Sequence, residues 1–99
     1  MNHKLVKTSN FLRTAKKHYQ KNPDFAVELN ETLKLLSENV FDAKLKTHKL
    51  KGELNDCWAC SINFKLRIVF QFVKAIDNET GENVDAISLL TIGSHDNVY

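Results

Sequence analysis

The sequence predicts a small single α+β domain, residues 1–99, ordered strand, helix, helix and three antiparallel strands, with the helix pair packed on one face of the sheet. Three observations predict it. A short alternating run, "HKLVKT", opens the chain. Two stretches with apolar residues at helical spacing follow, divided by Asn22-Pro23. The second half is rich in β-branched and aromatic residues and contains a polar turn with Gly81. A chain of 99 residues can bury one core with little stability to spare.

The elements follow in order. "TSN" offers caps for a first helix whose apolar stripe is Phe11, Leu12, Ala15 and Tyr19. The second helix carries Phe25, Leu29, Leu33 and Leu36 at spacings of four, four and three, a core-facing stripe that needs no cofactor role. From Val40 to Asp56 the pattern loosens into a basic connector containing Gly52. "CWACSINF" and "LRIVFQFV" then read as strands, and "DNETGEN" turns the second of these into "DAISLLTIG". Period two sorts the middle of these three strands. Leu66, Ile68, Phe70 and Phe72 share one face, and Arg67, Val69 and Gln71 share the other. If the helices cover the bulkier row, Arg67 lies on the open face and the last strand leads His95 to the rim of the same sheet.

Composition excludes several classes. The hydrophobic fraction of 42% and charged fraction of 26% are those of an ordinary globular domain. No apolar h-region marks a signal peptide, and "IVFQFV" is strand-sized rather than membrane-spanning, so a soluble cytoplasmic protein is expected. The net charge of +2 hides an uneven distribution. The first 21 residues carry only basic charges, among them Lys16 and Lys17, and "KLKTHKLK" (44–51) is again basic. Every charged side chain after Lys74 is acidic. Clustered cations can follow a phosphate backbone, although a solvated helix face and a solvated loop account for charge alone.

Two local patterns invite chemistry. Cys57 and Cys60 have the C-x-x-C spacing of a redox pair, but on a continuous strand residues three apart point to opposite faces, which makes them two small core hydrophobes. Zinc would need further ligands at suitable spacing, and the four histidines provide none, so no metal and no cofactor is expected. His3 and His18 read as surface residues. His48 in "KTHKLKG" and His95 in "GSHDNVY" could divide a proton relay, because histidine titrates near neutrality. There is no acidic cluster, Gly-rich phosphate loop or G-x-S-x-G nucleophile. Metal-free RNA cleavage fits this inventory: the RNA supplies its own 2′-hydroxyl nucleophile, and histidines, lysines and an arginine suffice for the rest.

The run "THKLKGELNDCWACSINFKLRIVFQF" and the ending "LLTIGSHDNVY" resemble the RelE/ParE superfamily of toxins from bacterial type II toxin–antitoxin pairs, and within it the YafQ-like group. The likeness covers nearly the whole chain. It rests on an H-x-L-x-G loop, the spacing from Trp58 to Arg67, and a terminal G-S-H followed by an aromatic. The resemblance implies an mRNA interferase, a metal-free endoribonuclease that cuts messenger RNA in the ribosomal A site and leaves a 2′,3′-cyclic phosphate and a 5′-hydroxyl. It also implies a cognate antitoxin protein, a ribosome with bound mRNA as the substrate assembly, no membrane, and an isolated toxin that is monomeric.

Carried over by position, His48 matches the family's loop histidine and Lys51 a lysine aimed at the phosphate. Arg67 matches the strand arginine of the RelE and YoeB branches, His95 the C-terminal acid, and Tyr99 the terminal aromatic that places the substrate. Lys46, Lys49, Lys65, Lys16 and Lys17 are the expected RNA-binding cations. The chain departs from the YafQ-like pattern at Ser61 and Lys65, where that group has histidine and aspartate, and Arg67 would compensate for the first loss. The division of labour between His48 and His95 stays open. A ParE-like binding module that inhibits DNA gyrase, or an inactive antitoxin-bound relic, is the alternative.

Overall fold

The computed structural model describes residues 3–51 and 56–94. Its elements are β1 (Lys4–Lys7), α1 (Ser9–Lys21), α2 (Phe25–Glu38), a 3-10 turn (Ala43–Leu45), β2 (His48–Lys49), β3 (Trp58–Ser61), β4 (Leu66–Ile76) and β5 (Asn83–Ser94). They form one five-stranded sheet in the order β1-β5-β4-β3-β2. β1 runs parallel to β5 and the other pairs are antiparallel. The order of elements matches the sequence expectation, with one addition. The basic connector contains β2, whose two residues hydrogen-bond to β3 and extend the sheet by an edge strand. Two residues carry no periodicity, so only the partner reveals the strand.

Local chemistry sets the boundaries. Thr8 caps α1 by accepting from the Phe11 N–H at 3.1 Å, and its hydroxyl donates to the Leu89 carbonyl at 2.7 Å, pinning the helix start to β5. The β4–β5 turn closes on Asp77, whose carboxylate accepts from the Glu79 N–H at 2.8 Å. Gly81 there has φ +72°, where a side chain would be strained.

The helices cover one face. Phe11 of α1 and Phe25, Leu33 and Leu36 of α2 bury against Cys60, Ile68, Phe70, Ile87, Leu89 and Ile92. Each such side chain contributes about 1.5–3 kcal/mol relative to exposure, so this face carries most of the apolar stabilisation. The stripe expected on α1 is narrower than its spacing suggested: Phe11 is buried, but Leu12 and Tyr19 are 53% and 47% exposed. Phe11 and the partly buried Ala15 suffice to seat the helix on the sheet. Past the helices an aromatic patch continues, with Trp58 edge-on to both Phe41 and Phe72 at 5.7 and 5.4 Å between ring centroids. His3 joins it, 6.1 Å from Phe72, and so packs against a ring instead of lying free on the surface.

The opposite face holds a smaller cluster of Leu50, Cys57, Ala59 and Val69, with Leu90 beside it. Val69 pairs with Thr91 and Phe70 with Leu89, leaving Leu90 as one extra residue in β5. This bulge switches the parity of the strand: Leu89 on one side of it and Ile92 on the other both reach the helix-covered core.

Candidate functional site

Register gathers the first candidate residues. His48 lies opposite Ala59, Ala59 opposite Val69, and Ser61 opposite Arg67. Directly opposed residues share a face, so His48, Ser61 and Arg67 stand on the open face with Val69 and away from Phe70. Strand spacing and rise separate the Cα atoms of His48 and Arg67 by roughly 12 Å. A separation of that order is wide enough for a phosphodiester between the two side chains.

Arg67 is held. Its Nη1 donates to the Ser61 hydroxyl at 3.0 Å, to the Asn63 carbonyl at 3.2 Å and to the Leu66 carbonyl at 3.4 Å. These bonds fix the plane of the guanidinium through one nitrogen. Nη2 and Nε take no part in them, which leaves a two-pronged donor edge of the kind that grips phosphate. The carbonyl that holds Arg67 belongs to an over-determined turn. Asn63 Oδ1 accepts from the N–H groups of Lys65 and Leu66, both at 2.9 Å, and Asn63 Nδ2 donates to Glu28 at 3.2 Å.

His48 is oriented by the turn before it. Its Nδ1 lies 3.0 Å from the Lys46 carbonyl, which can only accept. In the neutral ring a bond to that carbonyl places the proton on Nδ1. Lys46 delivers that carbonyl from a left-handed conformation, φ 51° and ψ 40°, the sole non-glycine residue with positive φ among the described residues. A left-handed residue with a Cβ costs about 1–2 kcal/mol, so the packing around the turn holds it there.

The remaining cations divide. Lys44, Lys46 and Arg67 line a groove of about 600 Å³ with Ser61, Ile62, Asn63 and Phe64. Lys65 is exposed on the same turn and lines a neighbouring groove with His18 and Lys21. Lys51 is exposed just beyond β2, after the buried Leu50. Lys49, by contrast, lies opposite Trp58, so the register turns it to the other side of the sheet from His48. Lys16 and Lys17 are exposed on α1, on the helix-covered side, and Lys16 lines the cleft between the helices. These three are not brought to Arg67. His95 and Tyr99 lie outside the described residues. The last described residues of β5, Gly93 and Ser94, pair with Arg67 and Leu66.

Sequence reasoning passed over Asn63, Phe64 and Lys44 as site components and named Ser61 only as a departure from the family pattern, not as a partner of Arg67. Lys44 was visible within the basic run, whereas the role of Ser61 depends on register. The cysteines behave as expected. Both are free and buried, Cys57 on the open-face side and Cys60 in the helix-covered core. Burial pushes the Cys60 thiol up to about 12, which keeps it protonated and unreactive. Among the described residues no group of three or more His, Cys, Asp or Glu side chains could hold a metal ion. No helix of the described residues is long and apolar enough to cross a membrane.

Comparison with known proteins places this geometry in context. The family described as "Bacterial toxin of type II toxin-antitoxin system, YafQ" matches residues 3–99. No curated protein matches the chain significantly. A copper-bound mutant toxin from Helicobacter pylori superposes with a TM-score of 0.72 at 26% identity, over 100% of both chains. YafQ from Escherichia coli superposes at 0.71 and 13% identity over 98% of each chain. The toxin of the E. coli DinJ–YafQ toxin–antitoxin complex gives 0.69 and 14% identity, over 100% of this chain and 99% of that one. With an α+β fold shared across full lengths and a family match over residues 3–99, the chain belongs to the YafQ family of bacterial toxins of type II toxin–antitoxin systems.

Proposed function

We propose that this toxin is a metal-free, ribosome-dependent endoribonuclease that cuts messenger RNA in the A site and is held inactive by a cognate antitoxin. The observation that carries the reading is Arg67, held through Nη1 on the same face of the sheet as His48. A preorganised cation aimed at charge that grows in the transition state is the largest single catalytic device such a site can have. The antitoxin partner is supported by the DinJ–YafQ complex, whose toxin shares this fold.

In the proposed reaction His48 Nε2 takes the proton of the 2′-hydroxyl. The 2′ oxygen attacks the adjacent phosphorus, and the bond from phosphorus to the 5′ oxygen breaks. His95 protonates that leaving oxygen, so the products are a 2′,3′-cyclic phosphate and a 5′-hydroxyl. Arg67 and Lys51 meet the negative charge on the non-bridging oxygens, and Tyr99 orients the nucleotide. Lys46 and Lys65 hold flanking phosphates near the site. Lys49, Lys16 and Lys17 face elsewhere and would meet ribosomal phosphates instead.

Expression of the wild type, Arg67→Ala and His95→Ala in a bacterial host, with messenger 5′ ends mapped, tests the reading. Growth arrest with new cuts inside translated codons for the wild type only, while both variants still fold and bind antitoxin, is expected. Arrest without cuts, or equal toxicity of the variants, would replace it with a ParE-like module acting on DNA gyrase.

A further inference from the structure

Phe64 is 94% exposed, far more than any other large apolar side chain among the described residues, and it stands at the apex of the turn between β3 and β4. A loose loop would explain an exposed ring, but this loop is not loose. Ile62 N–H donates to the Leu66 carbonyl at 2.9 Å, and Asn63 ties the turn together through its side chain and its carbonyl. The ring is thus presented to solvent by a braced turn. Its surroundings are mostly polar or cationic: Asn63 and Lys65 flank it in sequence, and its groove holds Lys44, Lys46, Arg67 and Ser61, with Ile62 the one aliphatic side chain.

An aromatic face framed by cations matches a single-stranded nucleic acid, where a base stacks on the ring and its phosphates meet the charges. A protein partner would instead bury a contiguous apolar surface, which this molecule offers elsewhere, at Phe41, Trp58 and Phe72. Resting on the endoribonuclease reading above, we infer that Phe64 is the platform on which a messenger base next to the scissile phosphate stacks. Through it the turn that fixes Arg67 also sets where the RNA lies. Stacking accepts every base, so Phe64 governs the position of the strand and the choice among cut sites more than the identity of a single base.

The experiment uses purified ribosomes programmed with a defined messenger, with wild type, Phe64→Ala, Phe64→Leu and Phe64→Trp. Loss of one stacked base lowers cleavage by roughly 5- to 150-fold. That loss is expected in the Ala and Leu variants, with a redistribution of cut positions, and the Trp variant is expected to recover the wild-type rate and pattern. Equal cutting by wild type and Phe64→Ala, or rescue by Leu as good as by Trp, overturns the inference. So does unchanged cutting accompanied by weaker inhibition by antitoxin, which would assign the ring to the protein partner. If the wild type leaves the messenger uncut, the endoribonuclease reading has failed separately. The stacking inference is then decided by the emission of a Phe64→Trp, Trp58→Phe double variant mixed with a single-stranded oligonucleotide. Quenching supports it and unchanged emission refutes it.

Discussion

The two faces of the sheet differ in what their side chains are for. On the helix-covered face Ile68 and Phe70 of β4 are fully buried, as are Ile87 and Leu89 of β5. One residue away along β4, Arg67 faces the other side, where a serine hydroxyl and a loop carbonyl hold it. A single strand therefore alternates between stabilising the fold and presenting a charge. The difference teaches that Arg67 and the buried core residues of β4 project from opposite faces of one strand, so a substitution on one face can be made without removing the side chains of the other.

The sharpest way to break that comparison is a pair of substitutions on β4. Phe70→Ala should cost about 3–5 kcal/mol in urea unfolding, a large part of the 5–15 kcal/mol that such a domain typically possesses. Arg67→Ala should cost about 1.5–3 kcal/mol of stability, on the order of one charged hydrogen bond and less than Phe70→Ala, while lowering cleavage roughly 10²- to 10³-fold. Similar stability losses in both would show that the faces are not separable.

Lys46→Gly probes the strained turn beneath His48. Glycine relieves the left-handed conformation, so thermal unfolding should show a gain of up to ~1 kcal/mol. Cleavage should fall, because the groove loses a cation. A destabilised protein would mean that the turn is held by the lysine side chain and not against its backbone preference.

A smaller effect concerns the thiols. Cys57 and Cys60 lie on opposite faces, and the Cys60 thiol is raised to about 12 by burial. An aromatic disulfide reagent at neutral pH should find no reactive thiol in the native protein and two per chain after unfolding. Formation of an intramolecular disulfide under mild oxidation would contradict the assignment of the two cysteines to different faces.

The smallest effect is the pH dependence contributed by His18. Burial beside Phe25, followed by the charges of Lys21 and Lys17, holds its pKa below the ordinary 6.5. The unfolded chain therefore binds the proton more readily. This contribution to stability is complete above 6.5 and declines as pH falls from there through the lowered folded value. His18→Gln should flatten the unfolding midpoint across that window, and an unchanged slope would exclude His18 as its source.

Much of this arrangement was legible in the residues. Period two alone separated Arg67 from Phe70 and Cys57 from Cys60, because a strand offers a side chain only two directions. The spacing of Phe25, Leu33 and Leu36 marked the buried face of α2 in the same way. What escaped depends on partners distant in sequence. β2 is a strand only because β3 accepts it, and Lys49 faces away from His48 only because it pairs with Trp58. The parity switch at Leu90 cannot be seen until β5 is set beside β4. Leu12 and Tyr19 were over-read because an apolar residue on a helix need not be covered.

The most direct test of the account is a single-turnover assay on purified ribosomes with a defined codon in the A site, comparing wild type with Arg67→Ala and analysing the ends produced. The account predicts wild-type products with a 2′,3′-cyclic phosphate and a 5′-hydroxyl, and a rate for Arg67→Ala lower by roughly 10²- to 10³-fold with the fold intact. An uncut messenger with the wild type, or equal rates for the two proteins, would contradict it.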